Sequence, residues 1–171
     1  MGAVSPVPFV DDKFKLKIKE KVILPTIKGI QEEKMKYNGF IFIGLIKVKN
    51  EPYVIEYNVR MGDPETEAVF PRIKSDVLEL FLALGTEKFA LLNIEIDHRF
   101  TSTVMLVSGG YPLAYQKYFP IIGLNDANES LVFHAGTKNE NNSTLTNGGR
   151  VLAITSFGET LTKATENSYR E

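Results

Sequence analysis

An α+β fold is predicted for this chain of 171 residues by three features of its sequence. Residues 39–48 and 52–57 are β-rich runs joined by the polar turn Lys49-Asn50-Glu51. Val77, Leu80, Phe81 and Leu84 follow helical spacing. From about residue 97 the character changes to short strands separated by Gly-, Asn- and Pro-rich loops, ending in a helix.

Taken in order, the first segment is ambiguous. Residues 11–21 alternate apolar and charged side chains with period two, the mark of a strand. Phe14, Ile18, Val22, Ile23, Ile27 and Ile30 also fit a helical stripe, into which Pro25 would sit badly. Periodicity leaves both readings open. The lysines of this run read as a solvated face.

The hairpin at 39–57 follows from its β-branched and aromatic content and its turn of hairpin length. Ser75 and Asp76 can open a helix and Gly85 can end it. Downstream, residues 103–107, 131–134 and 151–155 are the predicted strands, and a closing helix runs over about 159–169. The change in composition places a boundary near residues 93–100, so the expected parts are residues 1–95 and a small β-rich domain at 96–171.

Composition narrows the function. Twenty Lys+Arg against 21 Asp+Glu give a formal net charge of -1, without the basic surplus of a nucleic-acid or membrane-surface binder. No apolar run approaches the ~18 residues that span a bilayer. The first residues, Met1-Gly2-Ala3-Val4-Ser5-Pro6, lack the charged and apolar regions of a secretory signal. The absence of Cys excludes disulfides, thiolate metal sites and a Cys nucleophile. A cytoplasmic location is the expectation.

The densest group of chemically capable residues is Glu56-Tyr57-Asn58-Val59-Arg60-Met61-Gly62-Asp63-Pro64-Glu65. On a strand, Glu56 and Asn58 would point to one side with Cα atoms about 6–7 Å apart. A carboxylate and an amide oxygen so placed can converge on one hard cation such as Mg²⁺, leaving room for phosphate oxygens. Arg60 continues the alternation, and its fork of donors suits a phosphate or carboxylate. Gly62 permits a bend, and Asp63-Pro64 reads as a turn that brings two carboxylates to the rim. On these residues alone, an exposed strand edge with an ordinary Arg–Glu pair and a polar loop is the commoner reading.

Other candidates are weaker. His98 and His134 read as structural residues, and two His without Cys make a zinc site improbable. Gly109-Gly110-Tyr111-Pro112 and Asn147-Gly148-Gly149-Arg150 read as tight turns, since no phosphate-loop or dinucleotide fingerprint is present. Ser102, Ser108 and Ser156 have no adjacent base in sequence.

Several of these segments together resemble, almost end to end, the C-terminal part of the phosphoribosylamine–glycine ligases (glycinamide ribonucleotide synthetases), which are ATP-grasp enzymes. Met1-Gly2-Ala3-Val4-Ser5-Pro6 is similar to the end of that family's Gly-Gly-Met-Gly-Ala-x-Ser-Pro segment. Tyr37-Asn38-Gly39-Phe40 with Gly44-Leu45 resembles its Tyr-x-Gly-x-x-x-x-Gly-Leu strand. The run from Glu56 to Thr66 resembles Glu-Phe-Asn-Val-Arg-Phe-Gly-Asp-Pro-Glu-Thr. Ser108-Gly109-Gly110-Tyr111-Pro112, Val132-Phe133-His134-Ala135-Gly136-Thr137 and Thr146-Asn147-Gly148-Gly149-Arg150-Val151-Leu152 follow in the family's order.

The resemblance implies a partial ATP-grasp lobe at 1–95 and a small C-terminal domain at 96–171. It implies a ligase that joins 5-phosphoribosylamine and glycine at the expense of ATP. Glycine's carboxylate takes the γ-phosphoryl group, the ribosylamine attacks the glycyl phosphate, and glycinamide ribonucleotide leaves with ADP and phosphate. Glu56 and Asn58 match the ligands of Mg²⁺ or Mn²⁺, Asn58 and Arg60 match the nucleotide side, and Arg60 and Asp63 would sit where phosphoryl group and substrate meet. Such chemistry is mostly positioning and charge neutralisation.

The family's chains are considerably longer. The resemblance therefore implies a fragment whose partner is the missing N-terminal portion of the same enzyme, inactive alone, with apolar surface left open to self-association. Met61 stands where Phe is usual, Glu67 where Gln is frequent and Tyr118 where Gly is common. For residues 11–30 the family suggests a helix. The rival functions are another ATP-grasp carboxylate–amine ligase and a non-catalytic nucleotide- or partner-binding module.

Overall fold

The computed structural model describes residues 1–124, 126–127 and 129–170. It is a mixed α+β structure, and its contacts divide it into two units. One unit comprises Met1–Pro6, Asp63–Ser75 and Ile94–Glu171; the other comprises Val7–Gly62 and Asp76–Asn93. Both are therefore discontinuous in sequence.

The unit containing the C-terminal residues is built on a four-stranded antiparallel sheet in the order β1-β4-β8-β5. These strands are β1 (Gly2–Ser5), β4 (Phe100–Val107), β8 (Arg150–Gly158) and β5 (Ser130–His134). A separate hairpin, β6 (Thr137–Glu140) and β7 (Ser143–Thr146), projects from the connection. Helix α3 (Glu65–Val69) packs on β1, β4 and β8, and α5 (Leu161–Arg170) packs on β4 and β8.

The two helices use opposite faces of the sheet, and the strand alternation shows it. Thr101 donates to Ala68 O of α3 at 2.6 Å, Thr155 donates to Glu67 O at 3.0 Å, and the Thr103 and Thr155 hydroxyls meet at 2.7 Å. On the other face, Ser168 of α5 donates to Ser102 O, Thr165 donates to Ser102 Oγ, and Ser130 pairs with Ser156. Odd positions thus face α3 and even positions face α5. Both faces are dry, so each hydroxyl needs a partner inside. This is why β4 shows no apolar alternation: Thr101, Ser102 and Thr103 are all buried. Val151, Leu152, Ala153 and Ile154 supply the apolar core alongside Met105 and Ala164.

Arg72 ties this unit's separate pieces together. Its guanidinium donates to Ser5 Oγ at the end of β1 and to the carbonyls of Asp97 and Arg99. Partial burial lowers its pKa from the usual arginine range, opposed by the nearby Asp97 charge.

The second unit holds the predicted hairpin, β2 (Phe42–Val48) and β3 (Glu51–Asn58), with a two-residue turn. Lys49 and Asn50 both take positive φ, 48° and 65°, as a tight hairpin turn with the strands' own twist requires. Residues 11–32 are helical: α1 (Asp12–Ile18), a π turn (Lys19–Ile23) and α2 (Leu24–Glu32). Asp11 caps the first helix through Phe14 N–H at 2.7 Å. The period-two pattern is overridden, and Pro25 is accommodated in the first turn of α2, directly after the widened π turn. The lysine run is only partly solvated, since Lys17 and Lys21 both reach the Glu51 carboxylate.

Helix α4 (Val77–Ala83) starts at Asp76, whose carboxylate accepts from Leu78 and Glu79 N–H. Phe14, Val22, Leu80 and Ala83 are the buried apolar residues here, and the Lys47 ammonium lies 4.6 Å from the Phe14 ring centre. Many apolar side chains of this unit are exposed, among them Ile55, Val59, Leu82 and Leu91. Among the described residues no helix is long and apolar enough to cross a membrane.

Candidate functional site

Strand β3 presents two chemically different faces. Glu51 and Tyr57 turn toward the helical segment, where Tyr57 Oη lies 2.9 Å from Thr26 Oγ1. Glu56 and Asn58, one step out of phase, occupy the opposite face. Asn58 Nδ2 donates to Glu56 Oε1 at 2.9 Å, so the two side chains meet, with the amide nitrogen rather than its oxygen turned to the carboxylate.

The neighbouring strand makes room for it. Gly44 is the cross-strand partner of Glu56, beside a register shift between Gly44 and Leu45. A Cβ at Gly44 would come 3.0 Å from Glu56 Cγ, so a larger residue would push the carboxylate aside. Tyr37 fastens the end of the strand, its hydroxyl lying within bonding distance of both Phe40 O (2.6 Å) and Val59 O (3.0 Å).

Arg60 does not continue the alternation. The strand stops at Asn58, and residues 59–60 form a bend in which Arg60 Nη1 donates to Met61 O at 2.9 Å. The expectation that strand pleating aims Arg60 is corrected on this point. A bend at this strand end breaks the two-residue period.

Asp63 belongs to the other unit, where the structure supplies a partner that sequence reasoning missed. Arg150, at the start of β8, grips it as a fork: Nη1 to Oδ1 at 3.1 Å, Nη2 to Oδ2 at 3.0 Å, and Nη1 also to the Asp63 carbonyl at 3.0 Å. The partners are 87 positions apart, so no local pattern could signal the pair. Gly149 allows the tight approach to β8, since a Cβ there would fall 2.2 Å from the Tyr111 ring.

Glu65 lies in the first turn of α3, as expected of an acid near a helix start. Glu67, two residues on, is partly buried, and its Oε2 has no hydrogen-bond partner among the described residues. Burial pushes its carboxyl above the ordinary glutamate range. Its own backbone N–H and Arg150 oppose the rise, while Asp63 and Glu65 add to it.

The remaining candidates take structural positions. His134 Nδ1 meets Thr137 Oγ1 at 2.9 Å, and Ser108 Oγ donates to Gly148 O at 2.7 Å. Ser102 and Ser156 are spent on the packing described above. No cluster of three or more His, Cys, Asp or Glu suited to a metal occurs among the described residues. A cavity of about 500 Å³ at the end of β4, lined by Leu106, Val107, Phe119, Ile121 and their neighbours, contains none of the predicted site residues.

A carboxylate and an amide at a strand end, with an arginine just beyond them, are residue types that could hold a hard, hydrated divalent cation alongside a phosphate. Comparison with known proteins places the chain in the ATP-grasp class. Residues 1–66 match the model of the phosphoribosylglycinamide synthetase ATP-grasp (A) domain, and residues 101–171 match that of the phosphoribosylglycinamide synthetase C domain. The chain belongs to the phosphoribosylglycinamide synthetase family.

The phosphoribosylamine–glycine ligase of Fusobacterium nucleatum is 40% identical over 99% of this chain, and that of Vibrio parahaemolyticus is 42% identical over 99%. The chain spans 41% and 40% of those two proteins, about two-fifths of the length of the curated relatives it matches. The crystal structure of the Thermotoga maritima phosphoribosylamine–glycine ligase superposes with a TM-score of 0.82 at 32% identity, covering 99% of this chain and 42% of that one. The N5-carboxyaminoimidazole ribonucleotide synthetase of the same organism shares the fold, with a TM-score of 0.65 at 16% identity, over 99% of this chain and 43% of that one.

Proposed function

We propose that this chain is the metal- and phosphate-binding portion of a phosphoribosylamine–glycine ligase, acting in purine biosynthesis in the cytoplasm. The observation that carries the reading is the Glu56–Asn58 pair on the free face of β3, within a chain matched by both family domains. In the ligase's own organisation, residues 1–95 would belong to the ATP-grasp lobe and residues 96–171 to the C domain. The family matches at 1–66 and 101–171 support that division.

Glu56 and Asn58 would hold Mg²⁺ or Mn²⁺, which when bound would supply charge neutralisation for phosphoryl transfer. Arg60 adds a fixed positive charge to the ATP phosphates and to the phosphoryl group as it moves to the glycine carboxylate. Asp63, fixed by Arg150, orients the reacting amine. Glycyl phosphate is then attacked by 5-phosphoribosylamine, with loss of phosphate. The remaining part of the ligase supplies the rest of the nucleotide and substrate pockets, so the isolated chain does not turn over.

The test is ADP formation dependent on both glycine and 5-phosphoribosylamine, measured on the whole gene product that carries this sequence. Activity with those two substrates supports the reading. Activity with a different carboxylate or amine would point instead to another ATP-grasp ligase.

A further inference from the structure

At α3, Arg150 grips one carboxylate, and a second carboxylate within reach of its charge has an oxygen with no donor among the described residues. Asp63 takes the Arg150 fork on both oxygens, while Glu67 Oε2 is closed off from solvent and has no donor among the described residues. The main chain of Glu67 is held, because Thr155 of β8 donates to its carbonyl. The charges that act on it are those of Asp63 and Glu65 on its own segment and of Arg150 from β8. Strands β1 and β4, against which α3 also packs, carry no titratable side chain in Gly2–Ser5 or Phe100–Val107.

A buried carboxylate oxygen without a donor is costly, and two events relieve it: uptake of a proton, or attraction of the nearest cation. Here that cation is already engaged. We propose that Arg150 is a positioning residue for Asp63, and that Glu67 competes for it, so that the Asp63 loop is gripped tightly when Glu67 carries a proton and loosened when Glu67 is ionised. Glutamine cannot ionise, so a chain with Gln at position 67 would lack the control. The direction agrees with the raised affinity of Glu67 for its proton.

The value of Asp63 to catalysis rests on the function proposed above, but the contact and its titration do not. The test therefore uses the chain alone. A bidentate pair restricts rotation about the Cζ–Nη bonds of Arg150, which side-chain NMR reads directly. Between about pH 7.5 and the ordinary glutamate value of 4.5, at which a carboxyl with a raised pKa is mostly protonated, rotation in the wild type should slow by about two- to fivefold, the range expected of a half-exposed ion pair. In Glu67→Gln it should be slow at both pH values, and in Asp63→Asn fast at the lower pH, where neither carboxylate is left to hold Arg150. Equal rates in the wild type at the two pH values overturn the proposal. So does a pH dependence that survives in Glu67→Gln, or slow rotation at the lower pH in Asp63→Asn. The wild-type comparison needs no variant to fold. Loss of ligase activity in the whole gene product would leave this result untouched, so the two claims fail separately.

Discussion

Asn58 donates its side-chain amide to the Glu56 carboxylate at 2.9 Å, on the face of β3 turned away from the helical segment. The two side chains are held together where Gly44 across the hairpin leaves space. Replacing Glu56 with Gln keeps the shape and removes the charge a divalent cation needs. Activity of the whole gene product should fall by about 10²–10³-fold, with the thermal midpoint of the chain unchanged. Steady-state kinetics and a thermal melt on Glu56→Gln check both halves.

Gly44→Val introduces a side chain where even a Cβ would lie 3.0 Å from Glu56 Cγ. The expected outcome is weaker Mn²⁺ retention with the β2–β3 hairpin preserved. Electron paramagnetic resonance of Mn²⁺ titrations reads the first, and circular dichroism reads the second. Undiminished Mn²⁺ binding would show that Glu56 needs no clearance on that side.

Glu67 and Asp97 should shape stability against pH in opposite senses. Glu67 binds its proton more tightly folded than unfolded. Its contribution is complete below the ordinary glutamate range and is lost as pH rises through its raised value. Glu67→Gln should remove that decline from urea melts taken over about pH 4–7. An unchanged slope would show that burial of this carboxyl has no energetic consequence.

Asp97 is held down to about 2 by the Arg99 side chain, then by the Arg99 backbone N–H. Its contribution is present above the unfolded value of 3.8 and is lost as pH falls through about 2. Arg99→Ala should therefore make the acid limb shallower between about pH 4 and about pH 2, as followed by circular dichroism. An equally steep acid limb would assign it to other carboxylates.

Thr155→Val deletes a hydroxyl that meets Thr103 at 2.7 Å and donates to Glu67 O at 3.0 Å, in a fully buried place. The partners keep their desolvation and lose their bond, so the loss should be about 1–3 kcal/mol by denaturant unfolding. A neutral result would mean that the hydroxyls between α3 and the sheet are interchangeable with methyl groups.

The hairpin, the helix at Asp76 and the closing helix were legible because each follows from local signals: turn residues, a cap, helical spacing. Strand β1 was not, since four residues pair with partners about a hundred positions away. Strand β4 hides its burial behind Thr and Ser, whose hydroxyls are satisfied by groups that only the tertiary fold brings near. The period-two pattern of residues 11–21 misleads because it counts Leu16, which is exposed, together with Phe14, which is buried. At the site, the Glu56–Asn58 geometry is a strand property and could be read from spacing alone. Arg60 lies past the strand end and Arg150 is remote in sequence, so neither orientation was available without the fold.

The most direct measurement is ADP release by the whole gene product at saturating ATP, with glycine and 5-phosphoribosylamine added singly and together, in the wild type and Glu56→Gln. Release that requires both substrates and a divalent cation, and that collapses in Glu56→Gln, is the expected result. Release indifferent to either substrate, or undiminished in Glu56→Gln, would contradict the assignment of this site.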